Sequence, residues 1–135
     1  MKGILIWGND PNETKKVANR GELENTLAEL IRIAEVDGPF TLLLRVNSET
    51  AIEIIIGLEI STVLFYSVDS KPQHVGSVGS IETVSENEWV SFNHRGEFSE
   101  IPKKYFIPFE DSREAFIDYF TTGLRPNNIN WRDIY

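Results

Sequence analysis

The stretch that decides the fold is FTLLLRVNSETAIEIIIGLEISTVLFYSV, residues 40–68. It contains three apolar runs, 40–46, 51–57 and 61–68, which are rich in Leu, Ile and Val. The links between the runs are short and either polar or glycine-bearing. A parallel return needs a crossover of a dozen or more residues, so these runs are predicted to form antiparallel hairpins. Their continuous apolar character predicts that helices cover at least one face of the sheet.

The first helix is predicted over residues 22–36. Apolar side chains recur there at helical spacing and form one stripe, made of Leu23, Leu27, Leu30, Ile31 and Ala34. Asn19 followed by Glu22 fits a capped helix start. Gly38 and Pro39 then end the helix, because glycine can turn left-handed and proline cannot continue it.

The second helix is predicted over residues 111–122. Asp111 with Glu114 repeats the start signal, and Phe116 and Phe120 lie one turn apart. Gly123 fits the helix end, and the proline that follows shortly after forbids further helix. The predicted fold class is therefore α+β: an antiparallel β-sheet meander with two helices packed on one face, in a single domain over residues 1–135.

The remaining segments are shorter. Residues 2–7 are predicted to form a strand, whereas 8–16 and 69–79 are predicted to be loops. Residues 88–93 and 97–101 flank His94-Arg95-Gly96, which predicts a hairpin with Gly96 at its turn.

Composition limits the kinds of partner. The formal net charge is −8, from 21 acidic and 13 basic residues. Such a surface repels nucleic acid and anionic membranes and attracts basic partners, although acidity also serves solubility alone. No run approaches the ~20 apolar residues that a membrane helix needs. The absence of cysteine is compatible with a reducing cytoplasm. We therefore expect a cytoplasmic protein that binds neither membrane nor nucleic acid directly.

The sequence carries no recognisable catalytic motif. The two histidines, His74 and His94, lack metal-ligand spacing. The run from Gly76 to Gly79 lacks the lysine and the helix of a phosphate-binding loop. Glu86 and Glu88 could act as an acid–base pair, but such spacing is expected by chance among 21 acids. We predict no enzyme activity, no metal and no cofactor, and keep a carboxylate-based hydrolase as an alternative.

The C-terminal segment, residues 97–135, combines an Ile-Pro pair, an aromatic helix, a Thr-Gly-x-x-Pro stop and a late tryptophan. The residues that carry this pattern are Ile107, Pro108, Ala115, Phe116, Phe120, Thr122, Gly123, Pro126 and Trp131. In this combination the segment resembles immunity family number one of bacterial polymorphic toxin systems. The first helix and the strand meander are also similar to that family, so the likeness covers roughly residues 20–132.

The resemblance implies an immunity protein that neutralises a cognate toxin during interbacterial competition, such as contact-dependent inhibition. The implied partner is a basic toxin that acts on nucleic acid, either a deaminase or a nuclease. Its positive cleft would hold phosphates, and an acidic protein could block it. A regulatory domain with a non-toxin partner is the other alternative.

The predicted toxin-binding surface is the polar rim around the late hairpin. Its residues are Asp69, Glu86, Glu88, Trp89, His94, Arg95 and Glu97. Trp89 is open to two interpretations, as a binding anchor or as a core residue. Asp10 and Glu13 in the first loop form a second candidate surface. Trp131 is predicted to pack back on the body as a latch, the other interpretation being an exposed anchor.

Overall fold

The computed structural model describes residues 2–80 and 87–134. Within them the chain forms two helices and eleven short strands, which confirms the α+β class. The helices are α1, Arg20–Asp37, and α2, Phe109–Thr122. The strands are β1 Gly3–Ile6, β2 Thr14–Val17, β3 Phe40–Arg45, β4 Thr50–Ile56, β5 Ile60–Ser61, β6 Val63–Ser67, β7 His74–Ser77, β8 Trp89–His94, β9 Glu97–Pro102, β10 Ile107–Pro108 and β11 Trp131–Ile134. Two 3₁₀ turns cover Pro11–Glu13 and Lys103–Tyr105.

The main sheet runs in the order β11-β7-β6-β4-β3-β1-β2, and neighbours along this path pair antiparallel. The predicted central strands are β3, β4 and β6. Leu43 lies opposite Glu53, which in turn lies opposite Leu64. The hairpin of β8 and β9 joins this sheet through one parallel contact, between Phe40 and Asn93.

Both helices pack on one face of the sheet, as predicted. Because successive side chains alternate across a strand, Leu42 and Leu44 point into this core while Leu43 points to the other face. The core combines buried sheet residues (Leu5, Leu42, Leu44, Ile52, Ile54, Ile56, Val63, Phe65) with helix residues (Leu23, Leu27, Leu30, Ala34, Ala115, Phe116, Tyr119, Phe120). Each fully buried Leu, Ile, Val or Phe side chain of this core contributes roughly 2 kcal/mol.

The start of α1 follows the predicted cap. The side chain of Asn19 accepts a hydrogen bond from the Glu22 amide at 2.9 Å. The Glu22 carboxylate reaches back to the amide of Ala18 at 2.8 Å. One donor that helix geometry leaves unpaired, the Glu22 amide, is thereby satisfied, and the second bond fixes the chain just before the helix.

The start of α2 differs from the prediction. The helix begins at Phe109 after Pro108, and no side chain caps it, so the Asp111 cap was wrong. Instead, the Phe109 amide donates to the carbonyl of Glu59 at 2.9 Å. Pairing of β10 with β5 brings that carbonyl within reach. A tertiary partner therefore replaces the local cap, while Asp111 remains in the first turn, where the helix dipole favours acids.

Two segments predicted as loops contain strands. In the first, β2 pairs with β1 at the edge of the sheet, with Lys15 and Lys16 exposed. In the second, β7 lies between β6 and β11. Neither strand shows apolar alternation, because one is a charged edge and the other contains a glycine. Their pairing partners impose the extended conformation.

The tail returns across the sheet. Gly123 adopts the left-handed conformation, with φ of 70°, and its amide donates to the Tyr119 carbonyl at 2.7 Å. Trp131 then opens β11, packs against the core 6.2 Å from the Phe65 ring, and donates to the Pro126 carbonyl at 3.0 Å. The predicted packing of Trp131 on the body is confirmed, and the tail also adds a strand.

Candidate functional site

The hairpin of β8 and β9 turns on Arg95 and Gly96. Both residues have positive φ, 50° and 91°, as a two-residue hairpin turn of type I′ requires. Alternation gives the hairpin two different faces. The inner face packs Val90, Phe92 and Ile101 with Ile55 and Phe106 in a small second core.

The outer face of the hairpin is exposed to solvent. Trp89 and Phe98 both belong to it, with 55% and 76% of their surfaces accessible. Ser91 and Asn93 lie on the same face and are also exposed. Trp89 is thus not a core residue, which leaves the anchor interpretation. Exposed aromatic side chains of this size are common in protein–protein contacts.

The turn is tied to the sheet by an ion pair. The Arg95 guanidinium donates to a carboxylate oxygen of Glu53 at 2.8 Å. Glu53 lies on the sheet face opposite the helices, and only 15% of its side chain is accessible. Removing one partner of such a shielded pair leaves the other charge poorly solvated. The pair therefore fixes the hairpin over the sheet.

His94 completes this network. Its Nδ1 lies 3.0 Å from the Thr41 hydroxyl and 3.8 Å from Glu53, and its Nε2 lies 3.4 Å from Arg95 Nη1. A guanidinium only donates, so in the neutral form of the His94 ring Nε2 is the acceptor and Nδ1 carries the proton. That proton faces the Thr41 hydroxyl and the Glu53 carboxylate.

Burial raises the pKa of the Glu53 carboxyl above its ordinary value, and the charges of Arg95 and then His94 offset part of that rise. These groups border a groove of about 870 Å³ on the open face of the sheet. Its floor is largely apolar, and Arg45 lines it near Ser48 and Tyr66.

A second concavity lies on the outer side of the hairpin. This outer cleft has a volume of about 960 Å³ and is bordered by three elements: the first loop, the end of α1 and the hairpin. Its carboxylates are Asp10, Glu13 and Asp37, and its exposed apolar side chains include Ile33 and Phe98. It therefore combines negative charge with accessible apolar surface.

The first loop is held in a defined shape. The Asp10 side chain accepts from the Asn12 amide at 2.9 Å, and the Glu13 carboxylate accepts from the Asp10 amide at 3.2 Å. This reciprocal cap closes the 3₁₀ turn. Asn9 then donates to the carbonyl oxygen of Arg95 at 2.9 Å, which joins the loop to the hairpin.

The predicted toxin-binding residues fall into separate places. Glu88 and Trp89 lie at the base of the hairpin, where Glu88 pairs with Lys103 at 3.2 Å. His94, Arg95 and Glu97 lie at its tip, but His94 and Arg95 turn toward Glu53.

Two other predicted residues lie away from this group. Asp69 follows β6 at the end of the sheet where Thr50 pairs with Ser67, whereas the hairpin joins near Phe40 at the other end of β3 and β4. Glu86 lies outside the described residues. The structure therefore does not bring Asp69 next to the hairpin.

Sequence reasoning missed Glu53, Asn9, Asp37 and Phe98. A signal for Glu53 was present, because it is the one charged residue within the apolar run of β4. A charge at such a position needs a partner, and Arg95 provides it. No local sequence pattern predicts that Asn9 or Asp37 belongs to the site, because their positions depend on the tertiary fold.

Within residues 2–80 and 87–134, no group of three or more His, Asp or Glu side chains is arranged to hold a metal ion. Neither of the helices described here is long and apolar enough to cross a membrane. Residues 15–133 match the family model described as Immunity protein Imm1. No curated protein sequence matches the chain significantly.

Proposed function

Because the chain belongs to the Imm1 family of immunity proteins, we propose that it binds a cognate bacterial toxin directly and thereby neutralises it. The observation that carries this proposal is the family match, which spans nearly the whole described chain. The mechanism is stoichiometric binding, in which the immunity protein occupies a surface that the toxin needs for its substrate.

The charge of the chain supports a toxin that acts on nucleic acid, either a deaminase or a nuclease. Such enzymes hold phosphates in basic clefts. A protein with net charge −8 is attracted to such a cleft and excludes the substrate from it. Opposite charges also raise the association rate, to on the order of 10⁸ M⁻¹s⁻¹ at low salt. Nucleic-acid targets place this encounter in the cytoplasm, and binding requires no cofactor.

Co-expression with the toxin encoded by the neighbouring gene tests the proposal. We expect the immunity protein to restore growth, to form a one-to-one complex on gel filtration, and to associate more slowly as salt rises. A neighbouring gene without toxin activity, together with no toxin recovered on the tagged protein, would refute it. Recovery of one non-toxin protein would instead support a regulatory binding domain.

A small hydrolase remains the second candidate, because one observation favours it. Glu53, with its raised pKa, lies beside His94 in the groove on the open face of the sheet. Glu53→Gln removes the carboxylate and nearly keeps its shape. If the variant still rescues cells from the toxin, protection does not depend on Glu53 chemistry. Turnover of an ester or phosphoester substrate that the variant abolishes would favour the hydrolase.

A further inference from the structure

We propose that the toxin docks on the outer surface of the hairpin, defined by Trp89 and Phe98 together with the outer cleft, and not in the groove on the open face of the sheet. This inference rests on the proposed function and names the site through which it acts. The occupant is a basic protein surface that places Lys or Arg side chains in the cleft and an apolar depression over the two aromatic rings.

The first argument is the position of the exposed apolar side chains. Among the described residues the two exposed large aromatics are Trp89 and Phe98, and both lie on the outer face of the hairpin. Ile33 adds apolar surface across the cleft, and Val36 follows one turn later at the end of α1. Exposed apolar groups along one face of the hairpin and beside the cleft, interspersed with polar side chains, are typical of a protein contact.

The second argument is charge complementarity. Asp10, Glu13 and Asp37 border the cleft, and none of them takes part in an ion pair with another described residue. Arg95, the one cation among the described residues that border the cleft, directs its guanidinium to Glu53. The cleft therefore presents unneutralised carboxylates, which attract a basic protein and repel nucleic acid.

The groove on the open face lacks this complementarity. Its shielded carboxylate, Glu53, is already neutralised by Arg95. The other carboxylate that lines the groove, Glu100, is balanced by the charge of Arg45, which also lines it. A basic partner thus gains less there than at the outer cleft.

The third argument is preorganisation. Asn9 binds the Arg95 carbonyl, and Arg95 binds Glu53, so the first loop and the hairpin are fixed to the same sheet before any partner arrives. A surface whose parts are already positioned loses less conformational entropy on binding.

The experiment measures binding of the purified toxin domain encoded beside this gene to the full-length chain and to matched variants. Phe98→Ser removes the most exposed aromatic, and Leu124→Ser is its control, because Leu124 is 67% exposed beyond α2. We expect Phe98→Ser to weaken binding by about 30-fold or more, the range of hot-spot residues, and Leu124→Ser by less than about twofold.

A double substitution that removes two charges tests the role of the cleft. Asp10→Asn with Asp37→Asn removes two carboxylates, and asparagine keeps the capping role of Asp10. The control, Glu114→Gln with Asp118→Asn, makes the same change in net charge on the exposed side of α2. We expect the first pair to slow association several-fold at low salt, with little difference at high salt, and the control to change it much less.

A footprint gives a readout that does not depend on lost affinity. The chain has no cysteine, so single cysteines can be introduced cleanly. Ser91→Cys places a thiol on the outer face of the hairpin. Asn127→Cys places one at an exposed position after α2. We expect bound toxin to slow alkylation at position 91 at least about tenfold, as a buried thiol is shielded from reagent, and to leave position 127 unchanged.

The outcomes separate the two claims. If the wild-type chain binds no toxin, the proposed function fails, and the docking site fails with it. If the wild type binds but Phe98→Ser is neutral and position 91 stays reactive, the docking site is wrong while the function stands. Circular dichroism of each variant establishes that the fold is intact.

Discussion

Asn9 and Arg95 are joined by a 2.9 Å hydrogen bond although 86 positions separate them in the chain. The side-chain amide of Asn9 donates to the backbone carbonyl of Arg95, whose guanidinium at the same time donates to Glu53. One residue of the hairpin turn therefore contacts both the first loop and the centre of the sheet.

Asn9→Ala is expected to loosen the hairpin turn with little effect on global stability. The bond is exposed, so its loss costs about 0.5–1 kcal/mol of unfolding free energy. Amide hydrogen exchange at Gly96, whose N–H donates to the Asn93 side chain at 2.6 Å, should become faster. Asn12→Ala is the matched control in the same loop. Equal exchange in both variants would mean that the contact does not restrain the turn.

Glu53→Gln is expected to change how stability depends on pH. Burial raises the folded-state pKa of Glu53, so the folded protein holds that proton more tightly than the unfolded chain. The stability that Glu53 contributes is fully present at pH values below its ordinary pKa of 4.5. It is lost as the pH rises through the raised pKa of the folded state. The unfolding free energy of the wild type should therefore fall relative to that of Glu53→Gln across this window.

Urea unfolding at a series of pH values measures this difference. Ser99→Ala is the control, since it lines the same groove and changes no titrating group. The control should retain the wild-type slope. A difference between wild type and Glu53→Gln that is constant with pH, or that rises, would contradict the prediction.

Trp131→Ala is expected to cost about 2–4 kcal/mol of unfolding free energy, less than for a fully buried ring because Trp131 is half-buried. Trp131→Phe keeps most of the ring and loses the bond to Pro126, so it should cost about 1 kcal/mol. The matched control is Trp89→Ala, which truncates a tryptophan that is 55% exposed and should cost about 0.5 kcal/mol or less. Equal losses of unfolding free energy in Trp131→Ala and Trp89→Ala would show that the tail does not stabilise the sheet. Thermal or urea unfolding measures all three.

Gly79→Ala is expected to disrupt the packing of the chain around Lys104. A Cβ at position 79 would overlap the Lys104 carbonyl, and that backbone cannot move aside cheaply. We expect a loss of about 3 kcal/mol or more. Gly38→Ala is the comparison, because its Cβ would meet open space and only its φ of 106° is strained, so it should cost about 1–2 kcal/mol. A smaller loss at Gly79 than at Gly38 would contradict this account.

The parts of the fold that follow local rules were predictable. The runs that became β3, β4 and β6 carry strong apolar patterns, and Asn19 gives α1 an unambiguous start. Gly96 marks a turn that requires positive φ. In each case the chemistry that fixes the structure lies within a few residues along the chain.

The predictions that were wrong concern segments whose conformation depends on partners distant in the sequence. Strand β2 is extended because β1 pairs with it, and β7 is extended because it lies between β6 and β11. The start of α2 is set by the Glu59 carbonyl, about fifty positions earlier in the chain.

The candidate site shows the same division. His94 and Arg95 were chosen for their turn, but their direction depends on Glu53, which lies in another hairpin. The outer cleft exists only because the fold brings the first loop and the end of α1 beside the hairpin. Residue type predicted which positions are polar, whereas the fold decides which of them meet.

The alternation of the β8–β9 hairpin has a consequence for how such a protein can diversify. Val90, Phe92 and Ile101 hold the hairpin to the body, while Trp89, Ser91 and Phe98 project the other way and contribute little to that attachment. Substitutions at every second position of the hairpin can therefore change the surface on which we propose that the toxin docks, while the free energy of folding stays nearly constant. An immunity protein whose toxin changes could then vary the outer face of this hairpin while the inner face keeps it attached to the body.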